Sequence, residues 1–191
     1  MNNAGNTKTD STPAEKKVTS LQKKEKGIIE DPPTYDKAHP NAKRLMSESF
    51  YFSQADETAP FGNSDGLNAF TAFKNWRQAH KDKSLQEFLP GQIDRMGYPK
   101  FDLNETDFHK LKPYLDEREF GGRMMRGIDA AIVATAFGQL YLEGVMDNDF
   151  KEIAKNSIRR QLIPELLAFW GDSYREERKI KLKKMFIVLN K

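Results

Sequence analysis

No cysteine occurs in the 191 residues. Disulfides, thiol nucleophiles and cysteine-containing zinc sites are thereby excluded. Long apolar runs are also missing, and none reaches the roughly 18–20 residues a membrane span needs. Histidine is scarce: His39, His80 and His109 are the whole set, and no two stand four apart. An imidazole metal site would need two or more converging with carboxylates. A strong excess of one charge is lacking too. The net charge of +3 is too small to imply nucleic acid by itself, but it is unevenly spread. Residues 1–31 carry +1, the middle of the chain −3 and residues 174–191 +5, so any strong positive field belongs to the C-terminal element.

What is there begins with a polar stretch. Residues 1–31 are dominated by Asn, Thr, Ser, Lys and Glu, with too little apolar surface to offset chain entropy. They read as a disordered tail or linker, followed by one helical domain over 32–191. The apolar core of a signal peptide is missing. A short polar spacer of this kind also looks like the start of a mature bacterial lipoprotein. If Met1 replaces a lipidated Cys, the native precursor has an N-terminal lipid anchor and the protein sits at the bacterial envelope. If Met1 is native, a cytoplasmic protein with a loose N-terminus is expected.

The body reads as all-α, a single domain of about seven helices with short connections. His39-Pro40 starts a short helix, with proline in its first turn. SESFYFSQ (47–54) is aromatic and short, a strand or an extended segment. A loop of turn residues, with Pro60, Gly62, Asn63, Ser64 and Gly66 supplying fixed or positive φ and caps, then runs into a helix from about Asp65 to His80. Asp65 reads as a capping residue, and Leu67, Phe70, Phe73 and Trp76 share one side of that helix. Ser84 caps a helix that Pro90-Gly91 kinks or splits. Asn104 caps the next, through about Leu115. Residues 128–142 are apolar almost all round, which marks a helix buried inside a bundle. Gly144 ends it, and Asp147 or Asn148 starts the following helix, which Pro164 should bend. Asp172 caps a last helix whose Ile180, Met185 and Leu189 face inward, although residues 179–189 also alternate as a terminal strand would.

Candidate chemistry is sparse. His80 suits the negative end of its helix and His109 reads as solvated. Only His39 is placed to approach Asp56 and Glu57, the adjacent loop carboxylates, in an arrangement a hydrolase would use. Adjacent carboxylates seldom face one bond, and the ligand spacing of a calcium loop is absent. In REFGGRMMRG (118–127), Gly121-Gly122 lacks the preceding strand and following Lys-Ser/Thr of a phosphate loop. Arg123 and Arg126 there form a candidate anion site, or with Glu119 simply flank the entry to the core helix. The basic C-terminus reads as a solvated face, without the interleaved exposed aromatics that nucleic-acid binding prefers.

At PTYDKAHPNAKRLM (33–46) and DETAPFGNSDGLNAFTAFKNWR (56–77) the chain resembles the bacterial YfeS-like family. The likeness continues through the core helix and AKNSIRRQLIPELL (154–167), so it spans roughly residues 34–190, and PFGN-S-D is its most specific part. The Gly/Phe/Asn/Asp turn is also similar to small helical bacterial proteins regarded as toxin immunity partners. Neither resemblance carries over a catalytic residue, metal or cofactor. The expectation is a non-catalytic helical binding module, immunity-like or an envelope partner, with a protein partner. His39, Asp56, Glu57, Asn63 and Asp65 are its candidate partner-binding residues, and Arg123 and Arg126 its anion-binding pair. The alternatives are a nucleic-acid-associated regulator using the basic final helix and a hydrolase centred on His39, Asp56 and Glu57.

Overall fold

The computed structural model describes residues 32–117 and 120–191. The tail reading for residues 1–31 and the placing of Glu119 beside the core helix lie outside them. Among the described residues the secondary structure is helical, as expected of an all-α chain.

Helix α1 (Pro40–Leu45) begins on His39, whose ring Nδ1 accepts from the Asn41 N–H at 3.1 Å. SESFYFSQ is neither strand nor extended: Ser49–Phe52 forms a single 3-10 turn. Both Tyr51 and Phe52 are buried, on Phe137 at 5.8 Å and Tyr141 at 6.3 Å between ring centroids. A strand would send one of two neighbours outward, whereas a turn takes both into the core.

Helix α2 (Ser64–Ala79) is capped by Asn63, whose side chain accepts from the Gly66 N–H at 2.8 Å. Asp65 is therefore not the cap. Helix α3 (Leu85–Met96) starts at Ser84 and runs through Pro90 unbroken, ending on Gly97 at φ 65°. Helix α4 (Phe108–Asp116) is capped by Asp107 rather than Asn104. Residues 102–107 form a carboxylate-stapled turn first: Asp102 accepts from Asn104 N–H, and Glu105 from Thr106 and Asp107 N–H.

Helix α5 (Gly121–Glu143) is the buried centre and stops at Gly144 in the left-handed region, φ 74°. Helices α2 and α6 (Asn148–Gln161) pack most extensively against it. Pro164 does not bend α6, because the helix has already ended. It opens a separate turn, α7 (Pro164–Leu167), at the first helical position, where its missing N–H costs nothing. The last element, α8 (Gly171–Leu189), is a helix throughout, which removes the terminal-strand alternative. Asp172 pairs with Arg175 at 2.8 Å instead of capping it. The inward stripe of α8 is Arg178, Leu182, Met185 and Leu189, while Ile180 is 53% exposed.

A buried ion pair lies inside the bundle. Arg160 of α6, fully buried, meets Asp129 of α5 through Nη2 at 2.6 Å and Nε at 3.0 Å. Its remaining N–H groups reach Leu103 O at 2.5 Å, Glu105 O at 3.0 Å and Ser157 Oγ at 3.1 Å. Each side of the guanidinium is thus satisfied, and the loop before α4 is tied to the core.

Candidate functional site

Four residues of α5, Arg123, Arg126, Gly127 and Ala130, recur at three and four residue steps and so share one face. That face forms one wall of a cleft of about 490 Å³. The opposite wall is the start of α2 with the loop before it: Glu57, Gly62, Asn63, Ser64 and Asp65. Gln161, Phe169, Trp170 and Arg178 close it from the C-terminal side. The volume lies within the range of small-ligand and side-chain pockets.

Close approach explains the glycines better than backbone freedom does. Neither Gly62 nor Gly66 has positive φ, contrary to the turn-type expectation. A Cβ on Gly62 would fall 1.6 Å from the Asp56 carbonyl oxygen, so the loop folds back on itself only because that atom is absent. At Gly127 a Cβ would meet Asp65 Oδ2 at 2.6 Å and Tyr98 Cε2 at 2.7 Å. The gap lets Asp65 accept from the Tyr98 hydroxyl, at 3.1 Å, against the face of α5. Burial, then the Asp65 charge, pushes the Tyr98 phenol above its ordinary range.

The electrostatics are unusual for a helical surface. Arg178 is buried, with 4% exposure, and donates from Nη1 to Thr58 O at 2.6 Å and from Nη2 to the Gln161 side-chain oxygen. Its guanidinium lies 4.8 Å from the Trp170 ring centroid. Nε is buried and has no hydrogen-bond partner among the described residues. Among the described residues no carboxylate pairs with it, and burial pushes its pKa down to about 10, with Asp56 and Asp129 opposing from a distance. Arg126 repeats the pattern: it stacks 4.9 Å from the Phe169 ring centroid and its buried Nη1 is likewise unpartnered. Burial, then the neighbouring Arg123, lowers its pKa. The N-terminus of α2, with the positive end of its dipole, lies in the opposite wall.

Five of the seven residues singled out from sequence line this cleft: Glu57, Asn63, Asp65, Arg123 and Arg126. The adjacent pair Asp56 and Glu57 divides. Asp56 accepts from Thr58 N–H at 2.9 Å and from the Thr58 hydroxyl, and pairs with Lys181 at 2.5 Å. Burial raises its pKa, but the bonds from Lys181 and Thr58 outweigh that and hold the carboxyl below its usual range. Glu57 is exposed and has no hydrogen-bond or ion-pair partner among the described residues. Beyond it a second hollow of about 550 Å³ is lined by Ala55, Asp56, Glu57, Thr58, Phe169, Trp170, Tyr174 and Glu177.

His39 is not brought to this place. It packs against Gly144, at the other end of α5, about 25 Å from Gly127 along the helix axis. The grouping of His39 with Asp56 and Glu57 is therefore not assembled. His80 stacks on Trp76 with centroids 4.7 Å apart, and His109 is exposed. Among the described residues no three His, Asp or Glu side chains converge as a metal site, and no helix is long and apolar enough to cross a membrane. The basic C-terminal helix is largely spent on ion pairs: Lys181 on Asp56 and Glu177, Lys184 on Glu48, Lys179 on Glu176 and Arg175 on Asp172.

Sequence reasoning missed Arg178, Gln161, Phe169 and Trp170. A signal for Arg178 was present, since it stands four, seven and eleven residues before Leu182, Met185 and Leu189 on the apolar stripe.

The chain is similar to uncharacterized protein YfeS of Escherichia coli (strain K12), 26% identical over 141 residues, which cover 71% of this chain and 54% of that protein. It thus spans about half the length of the curated relative it matches. The resemblance to a YfeS-like family, read from the PFGN-S-D segment, is upheld by this match, and the relative's name assigns no activity. No family model and no solved structure matches.

Proposed function

We propose that the chain is a non-catalytic helical binding module whose arginine cleft takes an anionic group from its partner. The observation that carries this is Arg178: among the described residues, a buried guanidinium with an unpartnered Nε and no paired carboxylate, beside Arg126 with an unpartnered Nη1. Buried charges are normally paired, and an unmade hydrogen bond from one costs more than from a neutral group. A bound anion supplies what both side chains lack, through charge-assisted bonds. A nucleic-acid reading of the final helix has less support, because most of its cations already hold carboxylates. The hydrolase reading loses its histidine to the far end of α5.

The test uses Trp170, which lines the cleft. The chain has two tryptophans, so Trp76→Phe leaves Trp170 as the only fluorophore of its kind. Titrating this variant with N-acetylglycinate at constant ionic strength should give a saturable change. Adding Arg126→Gln should weaken it by about tenfold, the worth of one good charge-assisted bond. A linear response identical in the two proteins, both with intact thermal melts, would remove the cleft as an anion site.

A further inference from the structure

The arginine cleft does not stand alone. It and the second hollow share Glu57, Phe169 and Trp170, so the two open on either side of one ridge. Their charges differ in sign. Among the described residues of the cleft, Arg123, Arg126 and Arg178 face Glu57 and Asp65, an excess of one positive charge. In the hollow the titratable side chains are all acidic or phenolic: Asp56, Glu57, Glu177 and Tyr174. Asp56 and Glu177 are partly neutralised by Lys181, which leaves Glu57 as the uncommitted carboxylate. The ridge between them is apolar and uncovered, with Phe169 60% exposed and Tyr174 62% exposed beside it.

An excess of one positive charge suits a monoanion better than a phosphate dianion, which Glu57 and Asp65 would repel. A guanidinium fork also matches the two oxygens of a carboxylate. On the far side, exposed aromatic rings next to a free carboxylate suit an ammonium or guanidinium, through ion pairing and cation–π attraction. An occupant that spans both therefore carries a carboxylate and a cation, separated by an apolar group that covers the Phe169–Trp170 ridge.

We infer that the two hollows together form one recognition site for a peptide segment of a protein partner, with an acidic and a basic side chain on either side of an apolar residue. The inference rests on the cleft reading above, and the two fail separately. The segment lies with its carboxylate among Arg123, Arg126 and Arg178. Its cation lies at Glu57, and its apolar residue lies on Phe169. Alternation of charge sets the direction in which the segment lies, since reversal would put carboxylate against Glu57 and cation against Arg126.

The probes are N-acetyl, C-amide peptides with Glu and Lys separated by one, two or three leucines, a reach of about 3.3–3.6 Å per residue. Each is compared with its Gln-for-Glu and Gln-for-Lys forms, read by Trp170 fluorescence in the Trp76→Phe protein. At the best spacing, the doubly charged peptide should bind about tenfold tighter than either singly charged one. Glu57→Gln should remove the advantage given by Lys, and Arg126→Gln the advantage given by Glu. Equal affinity of the doubly charged and Glu-only peptides, with Arg126→Gln still weakening both, would overturn the two-sided site and leave the anion cleft standing. Absence of saturable binding by every peptide and by N-acetylglycinate would overturn both readings. Thermal melts of each variant separate lost contacts from lost fold.

Discussion

Arg160 and Arg178 are the same side chain in nearly the same degree of burial, and each stacks on an aromatic ring, Phe101 at 5.0 Å and Trp170 at 4.8 Å from the centroids. Their surroundings differ in one respect. Arg160 has Asp129 against it and places its remaining N–H groups on two carbonyls and a hydroxyl. Among the described residues Arg178 has a carbonyl and an amide oxygen, no paired carboxylate, and a buried Nε without a partner. A buried cation that is fully paired holds elements together. A buried cation without its counter-ion, in the wall of a cleft, is poised to receive one.

The comparison breaks most visibly under substitution. Arg160→Met leaves Asp129 without its partner inside the bundle, and removes the tie between α6 and the loop before α4. The expected loss is about 3–5 kcal/mol, measured by chemical denaturation. Adding Asp129→Leu should restore much of it, because the cost lies in the orphaned carboxylate more than in the missing pair. Arg178→Met strands no paired carboxylate. It unpairs Thr58 O and Gln161 but also removes an uncompensated charge, so its loss should be smaller, about 2 kcal/mol. Equal losses for Arg160→Met and Arg178→Met would erase the distinction between the two sites.

Sequence reasoning singled out neither arginine, for a physical reason. Apolar periodicity places the core, and it identified the helix around residues 128–142, with Gly144 as its end. A charged residue on an apolar stripe reads as a break in the pattern until the partner that permits its burial is known. That partner is far along the chain, 31 residues for Arg160 and Asp129 and 120 for Arg178 and Thr58. Local chemistry misled at Asn104 and Asp65 in another way. Several residues there can cap, and which one does depends on where the helix is packed. The cleft was half visible. Arg123 and Arg126 stand out as a cationic pair beside Gly121-Gly122, and Glu57, Asn63 and Asp65 for their loop, but nothing in the sequence brings the two segments to one place.

A finer comparison lies within the loop, between the neighbours Asp56 and Glu57. Asp56→Ala removes acceptors for the buried Thr58 and the partner of Lys181, and should cost about 1–2 kcal/mol. The folded carboxyl is held below its ordinary range, so its contribution is present above the unfolded value near 4 and is lost as pH falls through the folded one. The stability gap between wild type and Asp56→Ala should therefore be full at pH 6–7 and narrow below about pH 4. A gap that stays constant down to pH 3 would show that the carboxylate's charge is not what holds the loop.

Glu57 should behave in the opposite way. It is exposed and bonded to nothing among the described residues, so Glu57→Gln is expected to leave stability within about 0.5 kcal/mol of wild type. Its effect belongs to binding, where it is a like charge in the wall that receives an anion. Removing it should raise the affinity for N-acetylglycinate several-fold, an effect that fades as salt screens the cleft. The same change should lower the affinity for a peptide whose lysine uses Glu57 across the ridge. One substitution with two opposite consequences, and none for the fold, is a signature that general destabilisation cannot imitate. If Glu57→Gln weakens the simple carboxylate as well, the carboxylate does not lie among the three arginines. The unpaired N–H groups of Arg126 and Arg178 would then need another explanation.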